Sequence, residues 1–176
     1  MTSRIGFVGV GRMGANMARH PKDKGYNITA VQDNHAPAGE SLAKELSCEA
    51  ASSPSRVAEL SDIVLTVVTD DAAMDEIYSE TSPSSLLTHA KNRLFINFAT
   101  VGPEAHIKAE ALVEAKGGTN LEALMASSIK QAREGTLYLM CGGKKSVFFV
   151  IKTGPLQARA QALTIRCQYR SGTPST

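Results

Sequence analysis

Short apolar runs alternate with longer segments in which apolar and polar residues mix at helical spacing. Residues 5–10 form a continuous apolar run, and residues 62–68 (Asp-Ile-Val-Leu-Thr-Val-Val) form a β-branched one. Such runs, without polar alternation, mark strands buried on both faces of a parallel sheet. Residues 27–33, 93–98 and 119–125 read as further strands. Residues 135–143 read as a β segment closed by a glycine turn.

The intervening segments read as helices. The first follows Gly14 and should kink or stop near His20. Pro21 removes a backbone donor and crowds the carbonyl four residues back, and Gly25 would end the helix in any case. Residues 40–46 are a short helical stretch, and Ser52-Ser53-Pro54 is a helix start. Thr69-Asp70-Asp71 opens a helix through Met74 and Ile77, so the two aspartates read as caps rather than catalytic acids. Residues 79–85 read as a surface loop. Residues 103–116 carry Ile107, Ala111, Leu112 and Ala115 at helical spacing, with Pro103 at the start and Gly117 at the stop. Residues 144–152 can be helical. Strands alternating with helices in this way predict an α/β fold: a Rossmann-like, doubly wound, mainly parallel sheet.

The first strand runs into Gly9-Val10-Gly11-Arg12-Met13-Gly14, a G-x-G-x-x-G motif in the strand–turn–helix context of a dinucleotide site. Gly9 permits the tight turn, Gly11 lets a pyrophosphate approach the backbone, and Gly14 lets helix and strand pack closely. The helix start, with Arg12 and Met13, would present free N–H groups to the phosphates. Asp33 ends the second strand 19 residues beyond Gly14. An acidic residue at about that distance accepts hydrogen bonds from the adenosine ribose. A carboxylate there repels a 2′-phosphate, and Asn34 rather than Arg follows, which favours NAD over NADP. The alternative is that Asp33 only starts a turn with Asn34. Val68 and Thr69, at the carboxyl end of the third strong strand, fall where a dinucleotide would pass.

Composition adds limits. The 176 residues carry a net charge of +2, with 43% hydrophobic and 20% charged residues, so no bulk electrostatic case for nucleic acid exists. Acidic residues are confined to residues 1–152, and the last 24 residues carry only Arg159, Arg166 and Arg170. Cys48, Cys141 and Cys167 have no metal spacing and read as free thiols in a reducing compartment. No signal segment and no membrane-length apolar run are apparent, so a cytoplasmic protein is expected. His20, His35, His89 and His106 show no metal-ligand spacing and read as surface residues; no metal site is expected.

Three blocks in order resemble the N-terminal domain of the β-hydroxyacid dehydrogenases, a family that includes 3-hydroxyisobutyrate dehydrogenase, tartronate semialdehyde reductase and the 6-phosphogluconate dehydrogenases. Residues 6–14 are close to the family's G-F-I-G-L-G-x-M-G. Asn97-Phe98-Ala99-Thr100-Val101-Gly102-Pro103 is close to D-x-S-T-x-x-P. Residues 122–137 resemble D-A-P-V-S-G-G-x-x-G-A-x-x-G-T-L. The resemblance implies that Thr100 contacts the cofactor near its nicotinamide ribose. It also implies that Ser127 and Ser128 lie in the loop holding a substrate carboxylate. The departures are Asn97 and Ala99 for Asp and Ser, and Ala126-Ser127-Ser128 for Ser-Gly-Gly.

The family continues into a helical domain opened by G-x-x-x-K-x-x-N, whose lysine is the general acid/base. Nothing in this sequence matches that motif. We therefore expect a dinucleotide-binding unit at residues 1–152 and an aberrant or disordered tail at 153–176, from a truncated or frame-shifted product, against the alternative of an authentic but unusual C-terminus. The expected activity is NAD(P)-dependent oxidation of a small β-hydroxy acid to its semialdehyde. The rival is dinucleotide binding without turnover, and a third possibility is an interaction domain on the same fold. The expected partner is a small hydroxy acid, with dimerisation open.

Overall fold

The computed structural model describes residues 3–148 and the strand Arg166–Tyr169. In chain order the elements are β1 (Arg4–Val8), α1 (Arg12–Asp23), β2 (Asn27–Gln32), α2 (Ala36–Leu46), β3 (Glu49–Ala50), α3 (Pro54–Leu60) and β4 (Ile63–Thr66). Then come α4 (Asp71–Ile77), a 3-10 turn (Leu86–His89), β5 (Leu94–Asn97), α5 (Pro103–Ala115), β6 (Thr119–Met125), α6 (Ile129–Glu134), β7 (Tyr138–Gly142) and β8 (Arg166–Tyr169). The strands form one sheet in the order β3-β2-β1-β4-β5-β6-β7-β8. Among the described residues, only the β6–β7 pair is antiparallel.

The apolar runs of the sequence become the centre of this sheet. Every residue of β4 and β5 is buried. Alternate residues point to opposite faces. Ile5, Phe7, Ile63, Leu65, Leu94 and Ile96 enter one core together with Met17 of α1 and Leu42 of α2. Val8, Val64 and Phe95 enter the other, with Val57 of α3, Met74 of α4 and Val113 of α5. Two apolar layers need helices on both sides, which is the doubly wound arrangement. Burying each large side chain such as Phe7 or Phe95 contributes about 2 kcal/mol.

Several elements differ from the sequence expectation. Helix α1 runs through Pro21 to Asp23 instead of stopping near His20. Pro21 lies in its last turn and is buried beside Met17 and Ala18, so packing offsets the missing hydrogen bond. The stop comes at Gly25, at φ +80°, whose N–H reaches the carbonyl of Lys22. β1 and β4 end two residues before their apolar runs do, because Val10 and Val68 already belong to the turns at the strand ends.

His20 and His106 are buried, not surface residues, at 7% and 3% exposure. Cys48 is a free, half-buried thiol as expected, whereas Cys141 is disulfide-bonded, which corrects the reading of free thiols there. Residues 145–148 are helical, and the rest of the expected 144–152 helix lies outside the described residues. Of the expected tail, 153–165 and 170–176 also lie outside them, while β8 pairs in parallel with β7. Among the described residues, no helix is long and apolar enough to cross a membrane.

Candidate functional site

Strand order places the site. β1 lies between β2 and β4, and the chain winds outward from it in both directions. That reversal is a switch point, where open α/β sheets leave a crevice beyond the carboxyl ends of their strands. β1, β2, β4, β5 and β6 are mutually parallel, so the segments that follow them share one edge of the sheet. These segments carry Gly9 to Gly14, Asp33, Val68 and Thr69, Thr100, and Ser127 and Ser128. The topology thus brings together every site residue expected from the sequence.

The glycine turn is tightly interlocked. Gly9 sits at φ +85°, and a Cβ there would lie 2.5 Å from the Val67 carbonyl oxygen of the neighbouring loop. A Cβ on Gly14 would overlap the carbonyl oxygen of Gly9. Both positions therefore exclude a side chain for internal reasons. Gly11 differs, since a Cβ there would meet no atom within 4 Å. It is the N-cap of α1 and has no side chain to cap the helix, so the first N–H groups of α1 face an open, exposed corner. The Arg12 carbonyl accepts from Asn16 Nδ2 at 2.8 Å, while its exposed guanidinium makes no hydrogen bond or ion pair among the described residues, and Met13 packs partly into the core. A polar, anionic group fits this corner by shape and by the helix dipole.

Asp33 bridges two segments. Its Oδ2 accepts the Val10 N–H at 2.7 Å and its Oδ1 accepts the His35 N–H at 2.9 Å. Next to it, the Gly9 N–H donates to the Gln32 carbonyl at 2.9 Å. The turn with Asn34 and the strand-end carboxylate were alternatives in the sequence; the geometry contains the turn, with the carboxylate half-buried beside the glycine loop.

Beyond β4 and β5, the Thr69 hydroxyl donates to Asp70 at 3.0 Å, and Asp70 caps α4 by accepting the Ala73 N–H at 2.8 Å. The cap and the hydroxyl hold the Asp70 carboxyl below its ordinary value. Asp71 accepts the Gly102 N–H at 3.1 Å, which ties the β4 loop to the loop holding Thr100. Asp70 is the cap that the sequence suggests, whereas Asp71 does not cap α4 but joins the two loops. Thr100 is exposed, with no hydrogen bond among the described residues. His106 packs beneath its loop, with Nε2 3.2 Å from the Ala99 carbonyl oxygen.

A buried polar network underlies this edge. Asn97 Oδ1 accepts from the Thr66 hydroxyl at 2.5 Å and from the Tyr78 hydroxyl at 2.6 Å. Asn97 Nδ2 donates to Asn120 Oδ1 at 2.9 Å. Burial pushes the Tyr78 phenol far above its ordinary value, despite these bonds. Sequence reasoning missed this network. Its one signal was a polar residue, Asn97, at the end of an otherwise apolar strand.

Both serines expected near a substrate are engaged internally. Ser127 Oγ accepts the Tyr138 N–H at 2.8 Å and donates to the Tyr138 carbonyl at 3.3 Å. Ser128 caps α6 in a capping box with Gln131. Their hydroxyls shape the turn between β6 and α6.

Fold and site together define a Rossmann-type dinucleotide-binding domain. The family model described as the NAD binding domain of 6-phosphogluconate dehydrogenase matches residues 4–165, and the chain belongs to that family. It is 31% identical over 148 residues to a mitochondrial 3-hydroxyisobutyrate dehydrogenase of Drosophila melanogaster, covering 84% of this chain and 44% of that protein. It is 28% identical to the cytokine-like nuclear factor N-PAC of Anopheles gambiae, covering 82% of this chain and 25% of that one. Among solved structures, Mycobacterium tuberculosis 3-hydroxyisobutyrate dehydrogenase with L-serine superposes with a TM-score of 0.76 at 26% identity, covering 96% of this chain and 55% of that one. The chain thus spans between a quarter and about half the length of these relatives.

Proposed function

We propose that this chain binds NAD(H) and supplies the cofactor-binding part of an oxidoreductase acting on a small β-hydroxy acid and its semialdehyde. The observation that carries the reading is the interlocked glycine turn. Gly9 and Gly14 are closed to side chains by their own backbone surroundings, whereas Gly11 opens onto free space. A glycine with nothing near it, between two that cannot change, is what a close phosphate contact requires.

In this reading the N–H groups at Arg12 and Met13 face the pyrophosphate, and the Arg12 side chain adds positive charge. The lone pairs left on Asp33 accept from the adenosine ribose, and its charge disfavours NADP. Val68 and Thr69 flank the cofactor, and Thr100 lies by the nicotinamide ribose. The cofactor supplies hydride chemistry when bound, and the chain's own residues hold and orient it. The turn at Ser127 and Ser128 faces the acid group of the substrate. Residues 1–152 carry the cofactor-binding residues, β8 of the stretch 153–176 joins the same sheet through β7, and the cytoplasm is the site of action.

A second reading is binding without turnover. Within these 176 residues no segment matches the G-x-x-x-K-x-x-N lysine helix. A nuclear factor among the relatives gives this reading company. Nicotinamide fluorescence separates the two, helped by the absence of tryptophan. NADH enhancement with turnover of 3-hydroxyisobutyrate supports the enzyme. Enhancement without turnover supports the second reading. A chain that takes up neither NADH nor NADPH refutes both.

A further inference from the structure

We propose that Asp33 is the latch that sets the phosphate turn before any nucleotide arrives, so that its loss weakens binding at the pyrophosphate as well as at the ribose. The evidence is the pair of bonds its carboxylate makes. Val10 lies between Gly9, at φ +85°, and the N-cap Gly11, and it is 3% exposed. Its N–H donates to Asp33 Oδ2 at 2.7 Å, a short, charge-assisted bond. Without that oxygen a buried backbone donor would have no partner, which native structures avoid. The other oxygen holds the His35 N–H at 2.9 Å. The first turn of α2 backs the latch, since Gly39 lies against the backbone and Cβ of Asp33.

A carboxylate suits this place better than an amide. Two N–H groups from different segments need two acceptor oxygens, and asparagine has one. Gly9 hangs from the main chain of Gln32, independently of the side chain next to it. The turn therefore has one main-chain tether and one side-chain tether. The side-chain tether lies nearer to Gly11, where the phosphate would sit.

The pyrophosphate part of this inference rests on the nucleotide-binding reading, while the latch itself does not. The test begins without ligand. In Asp33→Ala, which keeps neither acceptor oxygen, amide hydrogen exchange at Val10 should accelerate about tenfold or more, the loss expected for a hydrogen bond to a charged acceptor. Exchange at Gly9 and at Val67, whose N–H bonds the Val8 carbonyl, should stay unchanged. Unchanged exchange at Val10, or equal acceleration at all three, overturns the latch. If the variant does not fold, the unmutated chain still decides: the Val10 and His35 amide nitrogens should show through-hydrogen-bond couplings to the Asp33 carboxyl carbon by NMR. A Val10 amide without that coupling overturns it.

The ligand arm uses ADP and 2′,3′-dideoxy-ADP, which lacks the ribose hydroxyls. A latch predicts that Asp33→Ala weakens both several-fold. A ribose contact alone predicts loss for ADP only, and that result overturns the pyrophosphate part. If the unmutated chain takes up neither probe, the nucleotide-binding reading falls, and the exchange result still decides the latch.

Discussion

The carbonyl oxygen of Gly9 occupies the space that a side chain on Gly14 would need. That contact links the end of β1 to the first turn of α1, and it separates structural from functional glycines. Gly14→Ala should cost about 1–3 kcal/mol, the usual penalty for overpacking, because the obstacle is backbone and cannot rotate away. Gly11→Ala should cost less than about 1 kcal/mol, since it adds a methyl in open space and loses only a cap preference. Cofactor uptake should show the loss at Gly11 instead. Urea denaturation and NADH titration on the two variants check this. A Gly11→Ala chain as unstable as Gly14→Ala would refute the distinction.

Asn97 should be the most sensitive polar position in the core. Asn97→Leu leaves the Thr66 and Tyr78 hydroxyls and Asn120 Oδ1 without their partner. Buried groups left unpaired cost about 1–3 kcal/mol each, so a total loss of about 3 kcal/mol or more is expected. Tyr78→Phe removes one donor and should cost about 1 kcal/mol. It should also change the alkaline limb. The folded chain keeps the Tyr78 proton above the ordinary value of 10, where the unfolded chain loses it. Stability therefore falls as pH rises beyond 10. Tyr78→Phe should flatten that fall by one proton, measured as stability against pH. An unchanged slope would show that Tyr78 ionises freely.

Much of this was legible in the sequence. The apolar runs announced β1, β4 and β5, because strands buried on both faces carry no polar alternation, whereas β2 and β6 mix polar residues in and keep partly exposed positions. The glycines and Asp33 announced a turn chemistry that few other contexts need. What stayed hidden depended on tertiary partners. Helix α1 passes Pro21 because its buried face outweighs one lost hydrogen bond. His20 and His106 look like surface residues by type, yet both are buried. The roles of Ser127 and Ser128 depend on Tyr138 and Gln131, and the Tyr138 contact is eleven residues away. No local pattern encodes the bond from Asp33 to Val10, 23 residues apart.

Glu110 should destabilise the fold at neutral pH. Burial raises its carboxyl above the ordinary 4.5, Glu114 and Glu122 add to this, and Lys144 opposes it. A raised value means that the folded chain prefers the protonated form. Its favourable contribution is present below pH 4.5 and disappears as pH rises through the folded value. Glu110→Gln keeps the shape without the charge. It should raise the melting temperature at pH 7 and change it little at pH 4. A variant less stable than the unmutated chain at pH 7 would show that Glu110 is stabilised by a partner instead.

Ser127 and Ser128 should matter to the turn and not to the cofactor. Ser128→Ala removes the capping box of α6, and Ser127→Ala takes the acceptor from the Tyr138 N–H. Each should cost about 1 kcal/mol. The glycine turn contributes nothing to either contact, so NADH affinity should stay within about twofold, or 0.4 kcal/mol. Helix α6 nonetheless docks on α1, where Arg133 pairs with Asp23 at 2.5 Å and Gly135 lies against His20. A loosened turn could therefore reach the cofactor only through α1. Urea denaturation and NADH titration on both variants test this separation. A tenfold loss of NADH affinity in either variant, with the fold intact, would place the turn against the cofactor itself.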